Sequence, residues 1–72
     1  MAHGVVLAYT IHAVLRLEKE LKSGGLTVKP VRTPRHLSSD CGTALRFDMT
    51  DIDTVRAAID RLGLEVQQIA EL

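Results

Sequence analysis

The sequence predicts a small α+β domain of two layers, a four-stranded antiparallel sheet carrying two helices on one face. Three observations predict it. Apolar residues recur at helical spacing in two segments, each ended by glycine, and short apolar or alternating runs fill four others. The segments follow one another as β-α-β-β-α-β. A proline, Pro30, interrupts the second strand segment, which marks that strand as an edge because its missing N–H would break an inner ladder.

Residues 5–9 form a short apolar run that reads as a buried strand. From Ile11 the period becomes helical, with Val14, Leu17 and Leu21 on one face. Thr10 is a suitable N-cap, Glu18 and Lys22 make a favourable pair four apart, and Gly24-Gly25 stops the helix. Residues 26–31 read as the second strand and residues 43–48 as the third. The second helix starts at Asp51 with Thr50 as its N-cap, and Asp51 and Asp53 suit the positive end of the helix dipole. Ile52, Val55, Ile59 and Leu62 form its apolar stripe, and Gly63 ends it. Residues 64–69 alternate as the last strand. This order is the split β-α-β pattern of ferredoxin-like folds, with strands arranged 4-1-3-2 in space and strand two at an edge, where Pro30 is tolerable.

The chain has 72 residues, enough for a single domain spanning 1–72. A domain of this size buries a limited share of its surface, and such domains are commonly reinforced by disulfides, a metal or oligomerisation. One cysteine excludes an internal disulfide, and no Cys/His spacing suits zinc, so homodimerisation is the reinforcement left open. No cofactor motif is present: there is no phosphate-binding glycine loop, HExxH or nucleophile elbow. Tyr9 and Phe47 are the only aromatics, too few for the base stacking that nucleic-acid binding on such a sheet uses. The apolar runs are too short to cross a membrane, and residues 1–4 lack the features of a secretion signal. With a lone thiol, this fits a cytoplasmic setting. The net charge is zero but uneven: residues 29–46 sum to +3 and residues 47–72 to −4. The basic stretch coincides with the cysteine loop, although two ordinary solvated faces would give the same pattern.

Cys41 is the leading candidate for chemistry. It stands in an exposed polar loop, and the topology sets it at the end of the sheet where the first helix begins, near Thr10 and His12. Helix N-termini and nearby cations favour a thiolate, and Arg35 and His36 are close in sequence. Ser38 and Ser39 offer donors to a sulfur or selenium anion, and Gly42 allows close approach of a partner. Asp40 opposes these with a negative charge. The alternative is that Cys41 simply fills the corner between loop and strand as a small apolar residue. His12 can polarise the thiol or bind a ligand, or be an ordinary surface residue of the helix entry. A metal site from His12, His36 and Cys41 is set aside, since no close pair has ligand spacing.

The stretches Thr10-Ile11-His12, Glu18-Lys19, Ala44-Leu45-Arg46-Phe47 and the loop Pro34-Arg35-His36-Leu37-Ser38-Ser39-Asp40-Cys41-Gly42 resemble a small bacterial family of unknown function, labelled selenium/sulfur carrier protein-like. The resemblance spans almost the whole chain. It implies that Cys41 is the chalcogen-bearing thiol and that Pro34, Arg35, Ser38, Ser39 and Gly42 shape its loop. Asp40 stands where a small residue is more usual, and a histidine-rich helix entry is reduced to His12. The implied function is a carrier rather than a true enzyme, holding a persulfide or selenopersulfide between donor and acceptor proteins. A second expectation, from a different class, is a non-catalytic ligand-sensing or interaction module that binds a small anion at the helix entry and basic loop.

Overall fold

The computed structural model describes residues 2–37 and 41–72. Strand β1 (His3–Ala8), helix α1 (Ile11–Ser23), strands β2 (Lys29–Arg32) and β3 (Thr43–Asp48), helix α2 (Ile52–Leu62) and strand β4 (Val66–Glu71) follow in that order. Among the described residues the strands form one four-stranded antiparallel sheet in the order β2-β3-β1-β4, which is the expected order read from the opposite edge.

Local chemistry accounts for the helices. Thr10 is extended, and its hydroxyl accepts the Ala13 N–H at 3.3 Å, so α1 begins where the sequence predicts. Both helices end by the same pair of bonds. Leu26 N–H donates to Leu21 O and Gly25 N–H to Lys22 O, each at 3.0 Å; Leu64 N–H donates to Ile59 O and Gly63 N–H to Asp60 O, each at 3.1 Å. The entry to α2 differs from expectation. A 3-10 turn over Met49–Asp51 precedes the helix, and its cap is Asp48, whose carboxylate accepts from Thr50 N–H at 3.0 Å and Thr50 O–H at 2.9 Å. Thr50 therefore donates to a cap instead of being one. Those two bonds hold the Asp48 carboxyl below its ordinary pKa of 3.8, the backbone N–H contributing most.

Strand limits are set by pairing, and here too the outcome departs from expectation. β1 begins at His3 because both neighbours extend that far: Leu72 N–H donates to His3 O at 2.8 Å, and Met49 N–H to Ala2 O at 3.2 Å. β2 begins only at Lys29, where its register with Arg46 starts. Leu26 and Val28, read as strand, are instead an apolar connector under α1, with Val28 buried in the core. β4 begins at Val66 because Leu64 is still bonded to the end of α2, and a bulge interrupts its register with β1 between Leu7 and Ala8.

The edge reading of Pro30 holds. Thr33 N–H donates to Gly42 O at 3.1 Å, so by the alternation of an antiparallel ladder residues 31 and 29 turn their N–H groups toward β3. Pro30 falls between them and faces the open edge, where a missing donor costs nothing.

The core has two faces. Val6, Ala8, Leu45 and Phe47 pack beneath Val14, Leu17 and Leu21 of α1 and Val55, Ala58 and Ile59 of α2. Each buried Val, Leu or Phe side chain contributes about 1.5–3 kcal/mol. Phe47 lies directly across from Gly4 in the β1–β3 register, and the missing side chain of Gly4 makes room for its ring. On the other face Val5, Leu7 and Ala44 are buried under Val31, Leu37 and Ala70. Arg61 of α2 donates to Glu20 of α1 at 2.7 Å, tying the two helices across their solvent side.

Candidate functional site

Residues 33–37 and 41–42 of the β2–β3 loop stand at one end of the sheet, where Thr33 N–H donates to Gly42 O. The loop's first half turns tightly, with Leu37 N–H donating to Pro34 O at 3.0 Å, and Leu37 packs on the face away from the helices. Cys41 packs against the helix-side cluster instead. Between them Ser38, Ser39 and Asp40 lie outside the described residues, so the expectations placed on them have no structural counterpart. Gly42 follows at φ +71°, a left-handed conformation that strains any residue with a side chain, and returns the chain to β3.

Cys41 is half-buried, in place of the exposed position expected of it. Its sulfur lies 3.3 Å from Ala8 O and 3.2 Å from Thr43 O, so its single S–H is shared between two acceptors. The location has a simple cause. The last opposed pair of the β1–β3 register is Leu7 with Ala44, so Ala8 and Thr43 are the residues that would come next. The thiol spans these two carbonyls where the ladder runs out.

Ala8 lies two residues before the Thr10 cap, so the sulfur stands at the end of the sheet where α1 begins. Among the described residues the sulfur's hydrogen bonds run to carbonyl oxygens, not to N–H groups of the α1 terminus. Both partners accept, so these contacts engage the protonated S–H. The sequence could not show this, because the partners are backbone atoms chosen by strand register.

The other expected site residues separate into two groups. Thr10 and His12 line a shallow recess of about 270 Å³ with Tyr9, Arg16, Leu64 and Glu65, between the α1 entry and the turn after α2. Cys41 is not among its lining residues. Arg35 and His36 are exposed in the 34–37 turn. Arg16 was not anticipated, although its spacing of four from His12 places both on one flank of α1. Leu64 and Glu65 were not anticipated either; the turn at Gly63 brings them to this end of the sheet. Among the described residues, no cluster of three His, Cys, Asp or Glu side chains is arranged to hold a metal ion. Nor, among the described residues, is any helix long and apolar enough to cross a membrane.

A two-layer α+β domain with one half-buried thiol at the end of its central strands is the class that fold and site define. Residues 3–71 match the family described as "Putative Se/S carrier protein-like", and the chain belongs to that family. No curated protein and no solved structure matches the chain.

Proposed function

We propose that the protein carries sulfur or selenium on Cys41 as a persulfide or selenopersulfide. Membership of the carrier-like family is the observation that supports this most directly. Three features agree with it. Cys41 is the sole cysteine, so no neighbouring thiol can discharge an adduct as an internal disulfide. It is half-buried, which limits exposure of an adduct to water and stray thiols. The left-handed Gly42 beside it leaves backbone open to an approaching partner. The arrangement is read as ferredoxin-like, and a thiol that must stay reduced suits the cytoplasm.

The chemistry needs no oxidant. The Cys41 thiolate attacks the terminal sulfur of a donor persulfide, the donor's S–S bond breaks, and the donor leaves as a thiolate. An acceptor nucleophile then takes the terminal sulfur and returns Cys41 to its starting state. Before attack the thiol must leave Ala8 O and Thr43 O and lose its proton, a step the docking donor has to drive. Arg35, His36, Ser38 and Ser39 belong to the loop that would meet that donor.

The test is mass spectrometry after incubation with a cysteine desulfurase and cysteine. A gain of one sulfur atom, removed by a reducing agent and absent from Cys41→Ser, supports the carrier; an unchanged mass overturns it.

The recess beside the α1 entry favours a second reading, a module that binds a small anion without a covalent step. Thr10, His12 and Arg16 would bind it. Under that reading Cys41→Ser retains ligand or partner binding, and His12→Ala loses it.

A further inference from the structure

The two edges of the sheet are built differently. β2 is short, and its sequence Lys29-Pro30-Val31-Arg32 carries a cation at each end and a proline that offers no donor outward. These devices prevent a strand from recruiting another. β4 has none of these three, and the bulge in its register with β1 falls before Gln68. It runs Val66-Gln67-Gln68-Ile69-Ala70-Glu71, with no proline and no charge until its last residue. Leu72 N–H donates to His3 O, so by alternation Ala70 and Gln68 face β1, while Ile69 and Glu71 present their N–H and C=O groups to the open edge.

Above this edge lies a groove of about 280 Å³ between β4 and α2, lined by Arg56, Ile59, Asp60, Val66 and Ile69. Its floor is aliphatic and its rim holds one cation and one anion. Arg61 occupies the opposite flank of α2, where it is bonded to Glu20 of α1. Arg56 and Asp60 therefore project away from α1, toward the β4 side. Both are exposed, and among the described residues neither has an ion-pair partner.

We propose that β4 is a homodimer edge, and that the occupant of this groove is the same groove of a second copy. Antiparallel pairing of β4 with its twin about a two-fold axis at Ile69 continues the sheet across both chains. It sets the aliphatic floors together and brings the two α2 helices alongside in opposite directions. Arg56 of each copy then meets Asp60 of the other. A two-fold interface requires such self-complementarity, since each contact occurs twice with the partners exchanged. An opposite-charge pair separated by one helical turn supplies it. Burying the edge also provides the reinforcement that a chain of 72 residues with a single cysteine lacks.

The experiment is sedimentation equilibrium of the full chain over a wide concentration range, with Arg56→Asp and Asp60→Arg as exposed variants that leave the core untouched. The wild type is expected at twice its 7.9 kDa chain mass. Each variant alone sets like charges opposite one another and weakens association roughly tenfold or more. An equimolar mixture of the two variants restores the dimer, because every contact is again between opposite charges. Amide exchange gives the backbone readout, with Ile69 and Glu71 protected in the associated form. A monomeric wild type, variants that associate undiminished, a mixture that stays monomeric, or a dimer with unprotected Ile69 and Glu71 amides would each overturn the proposal.

Discussion

Gly4→Ala tests the packing of the helix-side core at its tightest point. A methyl built on Gly4 would stand 2.6 Å from Phe47 Cζ and 2.7 Å from Met49 Sδ, both well inside van der Waals contact. The Met49 thioether ends a flexible side chain and can move aside. Phe47 cannot, because it is 1% exposed and held under both helices. Forcing a methylene-sized group into such a site costs about 1–3 kcal/mol. Replacing a strand glycine at a conformation alanine can adopt returns about 0.4–1 kcal/mol through the unfolded chain. A net loss of about 1–2 kcal/mol remains, and for a domain this size each kcal/mol lowers Tm by about 4–8 °C. Urea unfolding followed by circular dichroism measures it. Phe47→Leu removes the ring edge that collides with the methyl, so Gly4→Ala should cost less in that background, with a coupling of about 0.5 kcal/mol or more. Equal losses in both backgrounds, or no loss at all, would refute the reasoning.

Other expectations follow from the same geometry. Cys41→Ser keeps a donor for the Ala8 and Thr43 carbonyls, whereas Cys41→Ala removes it and should be less stable than the serine variant by about 0.5–1.5 kcal/mol in denaturant titrations. Asp48 has a folded pKa below its unfolded one, so its contribution is fully present above the ordinary value of 3.8 and is lost as pH falls through the lower folded value. Asp48→Asn should therefore flatten the acid limb of a Tm-against-pH profile, and an unchanged limb would contradict the assigned cap. Gly42→Ala must adopt a left-handed conformation and should cost about 1–2 kcal/mol, with Gly42→Asn losing less. Glu20→Gln removes the exposed bridge to Arg61 and should cost at most about 1 kcal/mol, less at high salt.

Periodicity and punctuation made most of the fold legible in the sequence. Thr10, Gly63, the stripe of Val14, Leu17 and Leu21, and the edge position of Pro30 are each decided by forces that act within a few residues. What was misread is decided elsewhere in the chain. Leu26 and Val28 alternate like a strand, yet they turn into the core before pairing begins at Lys29, although β3 itself runs on through Phe47 and Asp48. Asp48 displaced Thr50 as a cap because the chain enters α2 through a 3-10 turn over Met49–Asp51, whose N-cap position is the last residue of β3. The site shows the same division. Proximity of Cys41 to the start of α1 follows from topology alone, but the atoms that meet its sulfur depend on where the β1–β3 register stops.

If Cys41 carries sulfur as proposed, the thiol that spans Ala8 and Thr43 would have a consequence for the order of events in transfer. A sulfur atom attached to Cys41 takes the place of the very hydrogen that now joins two strands. The free thiol thus clasps the end of the central ladder, and a sulfur atom on Cys41 would unclasp it. Two partners that visit the same loop would meet different surfaces: a donor has to open the closed form before transfer, whereas an acceptor would meet a form already open. Direction in such a relay would then come from the ladder end itself, with no additional domain needed to tell full from empty.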